Sequence, residues 1–103
     1  MGLPERNTLL TAASALDTTS PVIPLQNRRR IGPQVEWGAG VSAGAIDYEI
    51  APTPAYAGTW QNVCTITYPV TDAGGMDIAG GNLRARVSTA LVGGTANAHV
   101  NLS

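Results

Sequence analysis

Cys64 and His99 are the side chains best suited to act as nucleophile and base, and the chain has only one of each. A thiol or hydroxyl nucleophile needs an imidazole within hydrogen-bond reach, so any covalent chemistry would have to run through His99. No Gly-x-Ser-x-Gly elbow presents a serine for the purpose. A protein metal site needs several Cys, His or carboxylate ligands converging, and one Cys with one His does not supply them. No cation lies near Cys64 in sequence to lower its pKa, so it reads as a small buried hydrophobe. His99 falls on the polar side of an alternating run and reads as a solvated or interface histidine.

The carboxylates offer two further chances. Asp47 and Glu49 are two residues apart and share one face of an extended segment, an arrangement that could serve glycoside hydrolysis if the face lined a cleft. The same spacing arises on any solvent-facing strand, which is the plainer expectation. Asp72 and Asp77 flank a glycine turn, but their number falls short of a calcium loop. The pairs Gly74-Gly75, Gly80-Gly81 and Gly93-Gly94 precede no helical pattern, so they read as hairpin turns and not as phosphate cradles. No catalytic residue, metal or cofactor is implied by these patterns.

One dense charge cluster remains, Arg28-Arg29-Arg30. Guanidinium groups bind carboxylates and phosphates in bidentate fashion, so this run reads either as an anchor on a partner or as a solvated stretch before a strand. Arg84 and Arg86 would extend the same positive surface if their strand lay beside it. These five arginines are the candidate partner-binding residues.

The elements that carry these residues are strands. With 103 residues the chain is one domain's worth, and 12 Gly and 7 Pro are spread between short runs rich in Val, Ile, Thr, Tyr and Trp. Charged residues are 13% of the total, Lys is absent and the net charge is −1, so no strong field draws in nucleic acid or a membrane surface. A single Cys excludes an internal disulfide. Neither a bilayer-spanning apolar stretch nor a secretory leader pattern is present, and a chain made in a reducing cytoplasm fits.

From Gln34 onward the period is two: Val35 with Trp37, Ile46 with Tyr48 and Ile50, Leu83 with Ala85 and Val87, and Ala96 with Ala98, Val100 and Leu102. Gly38–Gly44 is the connecting loop between the first two strands. Thr59–Tyr68 is a long β-type segment whose mixed facing implies a bulge. Met76–Ile78 is a short strand, and about six strands follow residue 33. Residues 1–33 differ: Pro4, Pro21, Pro24 and Pro33, a polar stretch and the arginine run suit an extended arm, with edge strands available at Asn7–Ala13 and Pro21–Leu25. The expectation is an all-β chain, a single antiparallel β-sandwich of jelly-roll or immunoglobulin-like type over residues 34–103, with an N-terminal arm over 1–33.

Tyr56–Val63 (YAGTWQNV), then Gly81–Ser88 (GNLRARVS) and Val92–Thr95 (VGGT), form a pattern that resembles small virion structural proteins of tailed bacteriophages. The resemblance covers residues 31–103. It implies a β-sandwich assembled on the virion, foremost a capsid decoration or cement protein that binds and stabilises the shell of the major capsid protein. Independently, a low-charge sandwich with no Lys to guard its edges needs them covered by the arm or a symmetry mate, so a homo-oligomer is expected, with a trimer as one form. A tail, neck or fibre component of the same particle is the alternative.

Two other classes compete. Trp37, Trp60, Tyr48 or Tyr56 could stack on sugar rings in a carbohydrate-binding module, although Trp37 and Tyr48 alternate with core residues. A small hydrolase lacks a nucleophile and base pair. An arm of 30 extended residues could reach roughly 100 Å across subunit boundaries. On this reading, deleting residues 1–30 leaves a folded sandwich, and Trp37→Ala costs about 3 to 5 kcal/mol if the ring is buried.

Overall fold

The computed structural model describes residues 5–26, 28–78 and 80–103; Pro4 of the N-terminal stretch lies outside them. Among these residues eight strands run in order: β1 (Glu5–Ala13), β2 (Ile23–Pro24), β3 (Arg30–Trp37), β4 (Ala43–Ala51), β5 (Gln61–Thr67), β6 (Met76–Asp77), β7 (Asn82–Val92) and β8 (Ala96–Leu102). Among the described residues there is no helix. One sheet has the order β1-β8-β3-β6 and the other β2-β7-β4-β5, every pairing antiparallel. The chain is a β-sandwich, as its alternation predicts.

That alternation sets the interior. Ile46 and Tyr48 of β4, Leu83, Ala85 and Val87 of β7, and Ala98, Val100 and Leu102 of β8 are buried and meet in one core. Tyr48 is fully buried and spans the layers: its hydroxyl lies 2.8 Å from both the Gln34 and the His99 carbonyl oxygens, on β3 and β8 of the opposite sheet. Its one proton bonds these two acceptors in turn, fastening the sheets at the centre of the sandwich. Burial raises the phenol well above its ordinary pKa. The bulge expected in Thr59–Tyr68 sits at Val63, where the register slips between Tyr48↔Cys64 and Glu49↔Asn62.

The described residues of the N-terminal stretch, 5–26 and 28–33, belong to this body instead of reaching away from it. β1 closes one edge by pairing with β8, β2 pairs with β7, and Leu9, Leu10, Ala13 and Leu25 join the common core. Both strands are edge strands, where prolines are tolerated. β3 also begins before the expected boundary and includes Pro33, which pairs with Val100 of β8. β6 meets β3 only at Arg30 and Ile31; beside Pro33 that side is taken by residues 71–73, where the Pro33 carbonyl accepts from the Ala73 amide at 3.3 Å, a bond that a proline can still make.

The glycine pairs do not close hairpins. β6 and β7 lie in different sheets, as do β7 and β8, so Gly80-Gly81 and Gly93-Gly94 carry the chain from one layer to the other. Gly93 and Gly40, both at positive φ, show why glycine is needed. The loop from β3 to β4 and the link from β7 to β8 approach so closely that a Cβ on Gly40 would lie 2.7 Å from the Gly93 carbonyl oxygen.

Candidate partner-binding surfaces

The five arginines separate into two places. Arg84 and Arg86 lie on the outer face of β7, directly opposite Glu49 and Asp47 of β4 in the ladder. Arg84 Nε donates to Glu49 at 2.9 Å, and Arg86 donates to Glu49 at 3.2 Å, to Asp47 at 3.2 Å and to Asp17 at 2.9 Å. Thr65 Oγ1 donates to the other Asp47 oxygen at 2.6 Å. The Arg84 guanidinium also lies 4.2 Å from the Trp60 ring centroid, and Trp60 is buried beneath it.

This network corrects the expectation that Asp47 and Glu49 face solvent: they are 7% and 5% exposed because the guanidinium groups of the neighbouring strand cover them. Partial burial on its own would lower the Arg86 pKa, but the bonds from Glu49 and Asp17 outweigh it and hold it above the ordinary value. The signal was present in the sequence, since acids at 47 and 49 match bases at 84 and 86 in spacing, and opposite charges pair across strands.

Arg28, Arg29 and Arg30 sit at one end of the sandwich. Arg28 Nη1 donates to the Leu102 carbonyl at 3.2 Å, the Arg29 and Arg30 amides donate to the Ser103 carbonyl, and Arg30 pairs with the exposed Asp77 at 3.4 Å. Arg30 points from the outer face of the β3 sheet, while Arg84 and Arg86 point from the outer face of the other. The two groups do not form one positive surface. The Asp17–Thr19 segment does run beside Arg86, but it brings an acid.

His99 is placed between Thr8 Oγ1, 3.0 Å from Nδ1, and Glu36 Oε1, 3.4 Å from Nε2, on the outer face of β1, β8 and β3. Asn97 donates to the same Glu36 oxygen at 3.0 Å, and these bonds, Asn97's first and His99's second, lower the Glu36 pKa. Asp47 and Glu49 belong to the other sheet, so the three polar groups do not converge on a cleft. Among the described residues no three Cys, His, Asp or Glu side chains are grouped as a metal site requires.

Burial pushes the Cys64 thiol up to about 11, and the Asp47 carboxylate adds to the effect. Its reaction with an aromatic disulfide at pH 8 is therefore expected to be at least about tenfold slower than that of free cysteine, rising steeply once the protein is unfolded. The unfolded chain gives up this proton first, at an ordinary value near 9, so stability is expected to fall as pH rises from there toward 11.

The surface that sequence reading missed is the end opposite Arg28–Arg30. Leu16, Val70 and Val92 are 55%, 52% and 56% exposed. Backbone bonds bring their segments together: Leu91 to Ser14, Ser42 to Val92, Gly38 to Thr95, and Tyr68 to Gly44, while Trp37 Nε1 donates to the Val70 carbonyl. Residues 12–16, 38–46, 67–71 and 87–96, which build this end, contain no charged side chain. Trp37 stands here half-buried, edge-on to Tyr68 with ring centroids 5.7 Å apart, and not in the central core. Each segment looks unremarkable by itself, so only their meeting reveals an uncharged patch.

Fold and surface together describe an antiparallel β-sandwich with arginines and carboxylates paired on one outer face, an end that carries Arg28, Arg29 and Arg30 beside Asp77, and an uncharged end. The crystal structure of the SPBc2 prophage-derived protein YomS has a similar fold, with a TM-score of 0.69 at 11% sequence identity over 100% of this chain and 97% of that one. Comparison with protein-family models and with curated protein sequences gives no match.

Proposed function

We propose that this chain is a non-enzymatic structural protein of a bacteriophage virion that works by binding other protein surfaces, foremost as a decoration or cement protein on the major capsid protein shell. The observation that carries the reading is the end-to-end fold similarity to a prophage-derived protein. The phage-type segments 56–63, 81–88 and 92–95 agree with it. Bridging two unlike surfaces needs two unlike contacts, and the two ends of this molecule differ in chemistry. At one end stand Arg28, bonded to the Leu102 carbonyl, Arg29, and Arg30, paired with Asp77; at the other stand the exposed Leu16, Val70 and Val92. Such a chain would be made in the host cytoplasm and come to rest on the capsid surface.

Sugar binding has less support, because a stacking platform needs open rings. Tyr48 is fully buried, Trp60 lies under Arg84, Trp37 is half-buried against Tyr68, and Tyr56 is 38% exposed. The test is the copy number of this chain in purified particles of the phage that encodes it. Hundreds of copies per particle fit decoration, a few or a few tens fit the tail or neck, and absence from particles overturns the reading.

A further inference from the structure

We propose that β5 is an assembly edge at which a second copy of this chain pairs antiparallel to the first, joining two four-stranded sheets across a twofold axis. The inference rests on reading the chain as a binding module and goes further by naming the surface and its occupant. Four strands lie at sheet edges, and three are protected against further pairing. β2 and β6 are two residues long, and β1 is bent by two register shifts with Ala12 at a positive φ of 50°. Short, bulged or proline-bearing edges are the usual means of preventing strand addition.

β5 lacks those protections over most of its length. It runs seven residues, Gln61–Thr67, without a charge or a proline. Its bulge at Val63 leaves Cys64–Thr67 in regular register with β4, and among the described residues no strand pairs with its other side. Gln61, Asn62, Thr65 and Thr67 are exposed.

A second copy is the occupant that the edge favours. An antiparallel pairing of a strand with itself is self-complementary under twofold symmetry. An uncharged strand raises no like-charge contact in that arrangement. The carboxylates nearest to it, Asp47 and Glu49 on β4, are each held by a guanidinium of β7, so two such edges approach without net repulsion. Seven residues span roughly 23 Å. Against the 17 Å smallest dimension of the molecule, that strip covers on the order of 400 Å² per copy, about half of a standard stable interface. Self-association is therefore weak for free protein and is reinforced where copies are held side by side.

Sedimentation velocity on the full chain, from ~10 μM to ~1 mM, tests the proposal. A concentration-dependent monomer–dimer equilibrium is expected, together with slower amide exchange in β5 at the higher concentrations. Thr67→Lys and Gln61→Lys, at exposed positions near the two ends of the strand, should each weaken dimerisation at least about tenfold. Both should keep the wild-type circular dichroism and thermal midpoint, and either alone suffices if the other is poorly folded. A wild-type monomer throughout, a trimer in place of a dimer, or lysine variants that associate as strongly as wild type would each overturn it. Because no other protein is present, failure here is distinct from absence of the chain from phage particles.

Discussion

A chain lacking residues 1–30 is expected to lose cooperative folding. The deletion removes β1 and β2, leaves β8 and β7 with bare edges, and strips Leu9, Leu10, Ala13 and Leu25 from the core. Truncating a buried leucine to alanine alone costs about 2 to 5 kcal/mol, and the net stability of a small domain is about 5 to 15 kcal/mol. Three buried leucines lost together are enough to exhaust it. Thermal unfolding followed by near-ultraviolet circular dichroism should show no transition for the shortened chain. A sharp transition would mean that the remaining strands form a sandwich by themselves.

The second large effect is expected at Tyr48. Tyr48→Ala empties the centre of the interior and should destabilise the protein by about 3 to 5 kcal/mol. Tyr48→Phe keeps the ring and removes only the hydroxyl that serves Gln34 and His99 across the two sheets. It should cost about 1 to 3 kcal/mol, because buried carbonyl oxygens lose their donor. Urea unfolding of both variants separates the terms. Equal losses would show that the hydroxyl, and not the ring's volume, dominates; no loss in the phenylalanine variant would show that the bond between the sheets contributes nothing.

Strands with a two-residue period were legible in the sequence, because one dry face imposes alternation on the residues themselves. Ile46-Tyr48-Ile50, Leu83-Ala85-Val87 and Ala98-Val100-Leu102 carry that mark, and each lies on the expected strand. The N-terminal third was harder to read because an edge strand is paired on one side only, and its prolines resemble those of an arm. Leu9, Leu10 and Leu25 find their partners in strands far along the chain. Glycine pairs mark a reversal of direction, but they do not reveal whether the chain turns within a layer or crosses to the other.

The candidate sites divide along the same line. Arg84 and Arg86 were visible as charges, yet their cross-strand acids consume them on one face. Arg28, Arg29 and Arg30 keep their end position, Arg29 and Arg30 through their amides to the Ser103 carbonyl and Arg28 through its guanidinium to the Leu102 carbonyl. The uncharged end was not legible, because exposure of Leu16, Val70 and Val92 depends on where three distant segments stop. Trp37 belongs to that end, so its loss to alanine should fall below the 3 to 5 kcal/mol of a fully buried ring.

That β1 and β2 are part of the sandwich itself is tested most directly by native-state hydrogen exchange on the intact protein. Amides of β1 bonded to β8 are predicted to exchange only through global opening, as slowly as those of β8 itself. Rapid exchange throughout Glu5–Ala13, with β3 and β8 still protected, would contradict the account and restore a free arm.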